Sequence, residues 1–253
     1  MRLPLVVGVV GELMLAFAAA FGPPLVLALI DGEWNSVRGF AVAMGVGLAC
    51  GTAAHRYVRA EQHLNLHRAE AFAVVSMSWL LISALGAVPF VFDGMSWVDA
   101  WFESMSGFTT TGATVVTDFG AYDRSFYLWR AMEQWFGGLG VIALFVVVFP
   151  QLGVAGRQLF FAEASSASGP PLPQVRQASL RIWGLYSALT LLLVVLLMAT
   201  GMPAFDAVCN ALATLSAGGF SPNPTSIAGY ESPAAEWVLV PFMAISGMSF
   251  SIL

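Results

Sequence analysis

Lysine is absent from this 253-residue chain, and all ten of its cationic side chains are arginine. Charge of either sign is scarce: 10% of residues are charged, against about 25% in a soluble domain. With 15 acidic residues the formal net charge is −5, which excludes a nucleic-acid binder because no basic patch is available to neutralise phosphates. The two cysteines, Cys50 and Cys209, lie far apart inside apolar stretches. They support neither a disulfide framework nor a thiolate zinc centre. The three histidines, His55, His63 and His67, are confined to one short stretch, so most of the chain has no imidazole for acid–base work. What the chain has instead is apolar length, with 58% hydrophobic residues and a mean hydropathy of +0.79.

Six apolar runs, at about residues 3–30, 37–56, 71–92, 125–149, 178–201 and 234–253, each approach the ~20 residues a helix needs to cross a bilayer. Strands would alternate in units of ~10 residues, whereas the run 189–198 (LTLLLVVLLM) is apolar on every face. Such a run satisfies its own amides only by coiling. The sequence therefore predicts an all-α membrane protein of six transmembrane helices. Arg2 and the Ala16-Phe17-Ala18 triplet resemble a cleaved leader, but the apolar run continues to Ile30 and reads better as a retained span. Glu12 within it is expected to be hydrogen-bonded near a helix end.

If the six runs alternate in direction, Arg2, Arg56, Arg59, Arg68, Arg157, Arg176 and Arg181 share one side, against Arg38, Arg124 and Arg130. That asymmetry places both termini in the cytoplasm. The opposite face collects Asp31, Glu33, Asp93, Asp99, Glu103, Asp118, Asp123, Asp206, Glu231 and Glu236. An acidic external face of this kind concentrates cations, although acids also accumulate wherever arginine is excluded.

Two segments, 96–120 and 203–227, each begin as a short apolar helix and break into small residues. Both suit re-entrant elements, since irregular backbone at membrane depth persists only where it is buried in protein or lines a watery cavity. They also match at a constant offset of 107 positions, pairing Gly94 with Gly201, Met95 with Met202, Asp99 with Asp206, Gly112 with Gly219 and Gly140 with Gly247. The pattern predicts a duplicated unit, giving residues 1–60 as two N-terminal helices and 61–155 and 156–253 as two span-loop-span repeats. The tracts 109–113 (TTTGA) and 216–220 (SAGGF) have the small side chains and glycines that let main-chain carbonyls replace the water shell of a dehydrated monovalent cation. Dense packing of small residues between helices is the plainer reading of one tract, and a pore the better reading of two in register.

The segment 102–115 (FESMSGFTTTGATV) resembles the first filter loop of the Trk/Ktr/HKT superfamily of potassium uptake proteins. Residues 134–142 (QWFGGLGVI), 156–170 (GRQLFFAEASSASGP), 215–221 (LSAGGFS) and 247–250 (GMSF) are similar to the glycine-rich helix after it, the cytoplasmic linker, the second filter loop and the end of the second repeat. The resemblance is closest to the Trk-type membrane subunit and implies potassium transport. It assigns ion-contacting carbonyls to Thr110, Thr111, Ala217 and Gly218, filter glycines to Gly112 and Gly219, and support to Thr109 and Ser216. Glycine at 112, where sodium-preferring plant members carry serine, implies potassium preference. The resemblance further implies a homodimer, a cytosolic nucleotide-binding regulatory subunit meeting loops 55–70 and 150–177, and K+ at the filter as the transported ion. Family members carry four repeats around one pore, so a third and fourth repeat are missing from this sequence. The chain is expected to be the N-terminal half of the pore-forming subunit; two copies closing one pore is the alternative.

Other chemistries are less well supported. An intramembrane hydrolase built on Ser106 or Ser246 needs a base within reach, and the histidines lie elsewhere in sequence. His63, His67 and Glu70 share a helical face, but three residues fall short of a complete transition-metal site, and a solvated helix end is the commoner outcome. An ion-coupled secondary transporter is the nearer rival, although its repeats are more often inverted, whereas two-span units keep their orientation.

Overall fold

The computed structural model describes residues 3–57, 68–147 and 172–247, and among them every regular element is helical. The first apolar run folds as α1 (Leu3–Ala18), a 3-10 turn (Ala19–Phe21) and α2 (Gly22–Asp31). The break falls at Gly22-Pro23-Pro24, where the prolines occupy the first helical positions of α2 and need no N–H there. Gly32, at φ 76°, ends α2 in the left-handed conformation and turns the chain into α3 (Trp34–Tyr57). Glu12 lies in the middle of α1 on an exposed position, away from the helix ends.

The first proposed repeat contributes α4 (Arg68–Phe92), the 12-residue α5 (Trp97–Phe108) and α6 (Arg124–Val147). The second contributes α7 (Leu172–Ala199), the 12-residue α8 (Ala204–Leu215), a 3-10 turn (Ser226–Tyr230) and α9 (Pro233–Ser246). At 1.5 Å per residue α5 and α8 are each about 18 Å long, too short to cross a bilayer. Among the described residues four segments are long and apolar enough to do so: Leu3–Asp31, Trp34–Ala54, Phe72–Phe92 and Leu180–Ala199. They correspond to four of the six expected runs. The 24-residue α6 has the length but carries Arg130 and Glu133 internally, and α9 is described over 14 residues.

Close glycine contacts fasten the N-terminal helices to the rest. A Cβ on Gly11 would lie 2.2 Å from Ala54 Cβ, and one on Gly51 would lie 2.8 Å from the Gly11 carbonyl, so α1 and α3 touch backbone to backbone. Gly39 lets α3 meet α4 in the same way, at Pro89. An aromatic core of Phe17, Phe21, Phe40, Phe108 and Trp129 then joins α1, α3, α5 and α6. A second core around Tyr186, Leu193, Leu197, Leu215 and Leu239 joins α7, α8 and α9. Leu139 on α6 belongs to this second core, so α6 is shared by both.

Acidic residues at the helix ends tie the elements together. The Glu33 carboxylate accepts hydrogen bonds from the main-chain nitrogens of Arg124 (3.0 Å) and Ser125 (3.2 Å) and so caps α6 from the α2–α3 turn. Asp31 pairs with Arg124 at 2.9 Å, and Ser36 Oγ donates to Asp93 at 2.6 Å. Glu103 and Arg130 depart from the expected distribution of charge. Counted by sequence with the external face, they are 0% and 2% exposed and pair with each other inside the protein.

Candidate functional site

Each short helix ends in the same hydrogen-bonded turn. After α5, the nitrogen of Thr110 bonds the Gly107 carbonyl and that of Thr111 bonds the Ser106 carbonyl, both at 2.9 Å. After α8, the nitrogen of Ala217 bonds the Thr214 carbonyl at 3.0 Å and that of Gly218 bonds the Ala213 carbonyl at 2.9 Å. This pair of bonds is the Schellman arrangement, which places the residue after the C-cap in the left-handed region. Here that residue is Thr110 (φ 54°) or Ala217 (φ 55°) in place of the usual glycine. A left-handed conformation costs an L-residue about 1–2 kcal/mol, and a β-branched residue there is a rare outlier. Two positions on, Gly112 (φ 75°) and Gly219 (φ 81°) are left-handed again. The helices entering each unit end alike, at Gly94 (φ 101°) and Gly201 (φ 93°). The 107-residue offset read from the sequence thus recurs in the backbone at three pairs of positions.

The two tracts meet. A Cβ on Gly112 would lie 2.1 Å from the Gly218 carbonyl oxygen, so the loops touch main chain to main chain, and a side chain at 112 would part them. The hydroxyls beside this seam are occupied locally. Thr109 Oγ1 donates to the Met105 carbonyl at 2.7 Å and lies 2.7 Å from Thr111 Oγ1. Ser216 Oγ donates to the carbonyls of Leu212 and Ala213. Thr111, Ala217 and Gly219 are exposed, whereas Gly218 is buried. A cavity of about 240 Å³ opens beside the second tract between α8 and α9, with Thr214, Ala217, Gly219 and Met243 among its lining residues.

Helix α6 supports both tracts from behind. A Cβ on Gly137 would fall 2.1 Å from the Phe108 carbonyl oxygen at the end of α5, and one on Gly138 would fall 3.1 Å from Ser216 Cβ at the end of α8. The adjacent glycines thus let one helix press on both short-helix termini. Gln134 Oε1 accepts from the Phe220 nitrogen at 3.0 Å, and Ser104 Oγ donates to Glu133 Oε1 at 2.6 Å. Arg130 bonds Glu103 through its Nε (2.8 Å) and one terminal nitrogen (2.6 Å), the latter also reaching Thr114 Oγ1 at 3.0 Å.

All eight residues singled out in the tracts, 109–112 and 216–219, therefore lie in the two loops that converge. Sequence reasoning missed Glu103, Arg130, Glu133 and Gln134, although charged residues within an apolar run were a usable signal for two of them. The serines considered for hydrolysis are occupied by main-chain carbonyls: Ser106 Oγ donates to Ala113 at 2.6 Å and Ser246 Oγ to Met243 at 2.9 Å. His63 and His67 lie outside the described residues, as does the linker 156–170. Among the described residues no group of three or more His, Cys, Asp or Glu is placed to hold a metal.

Comparison with known proteins places the chain in a family and matches its overall fold. The family model for TrkH, described as a cation transport protein, matches residues 40–253. The Trk system potassium uptake protein TrkH of Halomonas elongata is 32% identical over 262 residues, covering 100% of this chain and 53% of that protein. The protein of the same name from Escherichia coli K12 is 34% identical over 249 residues, covering 96% of this chain and 51% of that protein. The crystal structure of the potassium transporter TrkH from Vibrio parahaemolyticus superposes with a TM-score of 0.87 at 29% identity, over 100% of this chain and 51% of that one. The chain spans about half the length of the curated relatives it matches.

Proposed function

The chain belongs to the TrkH family of cation transport proteins, and we propose that it supplies two loops of the selectivity filter of a potassium-conducting membrane pore. The observation that carries this reading is the contact of Gly112 with the Gly218 carbonyl between two loops of matched backbone conformation. Left-handed residues at 110, 112, 217 and 219 alternate with residues of ordinary hand. In this reading the alternation turns neighbouring carbonyls toward a common ion path. The carbonyls of Thr110, Thr111, Ala217 and Gly218 are the proposed ligands for dehydrated K+. Gly112 and Gly219 keep the path clear, and Thr109 and Ser216 brace the turns. The preceding helices α5 and α8 direct their negative C-terminal ends toward the ion.

In this reading α1–α2, α3, α4, α6, α7 and α9 cross the inner membrane, α5 and α8 enter and return with their loops, and both termini are cytoplasmic. Residues 61–155 and 156–253 are the two repeats, preceded by the helices of 1–60. A closed filter needs two more loops of the same kind, and the relatives' additional length is of the size that a third and fourth repeat would occupy. A homodimer and a cytosolic nucleotide-binding regulatory subunit complete the proposed assembly. The names of the relatives, potassium uptake proteins, favour potassium over other cations.

The test is rubidium uptake, used as a potassium tracer, into liposomes holding the conducting assembly that contains this chain. Uptake that potassium suppresses in competition and sodium leaves unchanged is the expected result. Equal suppression by both ions would refute a potassium filter.

A further inference from the structure

The geometry points to Arg130 as a positioning residue that couples the two filter loops, gripping the first through Glu103 and the second through the ring of Phe220. Its guanidinium is 2% exposed and stands where α5, α6 and both loops converge. On one side Glu103 Oε1 accepts from it at 2.6 and 2.8 Å, while Glu103 Oε2 accepts from the main-chain nitrogen of Val115 at 3.0 Å. Thr114 Oγ1, 3.0 Å from the guanidinium, donates to the same carboxylate at 2.9 Å and accepts from the Val116 nitrogen at 3.0 Å. One ion pair thus fixes the limb that leaves the first loop. On the other side the guanidinium carbon lies 4.0 Å from the centre of the Phe220 ring, within cation–π range. Phe220 directly follows Gly219 in the second loop.

The repeat offset sharpens this assignment. The positions matching Glu103, Thr114 and Arg130 in the second unit are Asn210, Ser221 and Trp237. Trp237 is 76% exposed, and Asn210 bonds Tyr230 at 3.1 Å. Among the described residues the second loop therefore shows no ion pair of its own, and it shares the arginine of the first. A buried ion pair is often matched or exceeded in stability by apolar residues of similar volume, so folding alone does not account for placing one here. A fixed spacing between two carbonyl-bearing loops does.

The inference rests on the filter reading, and its test separates the two. The potassium-to-sodium permeability ratio is measured in the conducting assembly for the paired variant Glu103→Gln with Arg130→Met, for Phe220→Leu, and for all three substitutions together, with Gly112→Ser as the reference. Phe220→Leu is expected to lower the ratio about fivefold, a change within the range a cation–ring contact supports. The triple variant is expected to match the paired one, because the ring has by then lost its cation. Wild-type ratios in folded variants, with Gly112→Ser shifting the ratio, would refute the coupling and leave the filter reading in place. A ratio insensitive to Gly112→Ser as well would refute the filter reading itself. If the paired variant does not fold, Phe220→Leu decides alone, since it leaves the ion pair intact.

Discussion

Gln134, on α6, accepts a hydrogen bond at 3.0 Å from the main-chain nitrogen of Phe220, 86 positions further along the chain. Its amide also fills the space a side chain on Gly218 would need, since a Cβ there would lie 2.3 Å from the Gln134 amide carbon. A helix of the first unit therefore sets the height of the second loop. Gln134→Leu would leave the Phe220 N–H buried without a partner, at a cost of about 1–3 kcal/mol. The expected outcome is a lower Tm together with weaker discrimination between potassium and sodium, read by thermal unfolding in detergent and by flux competition. A lower Tm with unaltered discrimination would confine Gln134 to a structural role.

Glu33 caps a helix that begins 91 residues after it. Its carboxylate accepts from the first main-chain nitrogens of α6 and sits at the positive end of that helix's dipole. Glu33→Ala is expected to cost about 1 kcal/mol, and Glu33→Gln less, because the amide keeps an acceptor and loses only the charge. The neighbouring Asp31–Arg124 pair is half exposed on the arginine side, so Asp31→Asn should cost under about 1 kcal/mol. Chemical denaturation of the three variants checks this order, and an Asp31→Asn cost above that of Glu33→Ala would overturn it.

Asp93, in the turn after α4, has its carboxyl pushed up from 3.8 to about 6, chiefly by burial. The Ser36 hydroxyl pulls the other way, and the charges of Asp123 and Glu33 add to the rise. The folded state therefore holds more protons than the unfolded chain between 3.8 and about 6, and stability falls as pH rises through that window. Asp93→Asn keeps an acceptor for Ser36 and removes the ionisation. At neutral pH it should be more stable than the parent by up to about 3 kcal/mol, and its Tm should change less between pH 4 and pH 7. Parallel Tm profiles for the two proteins would contradict the assignment.

The helical nature of the chain and the location of the two small-residue tracts were legible because both rest on local signals. Long apolar runs force coiling in a bilayer, and the 107-residue offset pairs glycines whose backbones do match, at 94 with 201 and 112 with 219. The left-handed conformations of Thr110 and Ala217 were not legible, because local preference assigns such positions to glycine and the turn imposes them here on other residues. The partnership of Glu103 with Arg130 was hidden for a different reason. Sequence position assigns both residues to an aqueous face, and only the folding of α5 against α6 brings them, 27 positions apart, within 2.8 Å. The reach of Glu33 to Arg124 is likewise a product of packing that no local pattern encodes.

The central claim, that Gly112 and Gly218 form the seam of an ion-selecting site, is tested most directly by comparing Gly112→Ser with Gly219→Ser in the potassium-to-sodium permeability ratio of the conducting assembly. Both positions are left-handed, but a Cβ at Gly112 meets the Gly218 carbonyl, whereas one at Gly219 meets nothing within 4 Å. Gly112→Ser should therefore collapse the ratio and Gly219→Ser weaken it more mildly, through backbone strain alone. Equal ratios in Gly112→Ser and the parent protein, both conducting, would contradict the account.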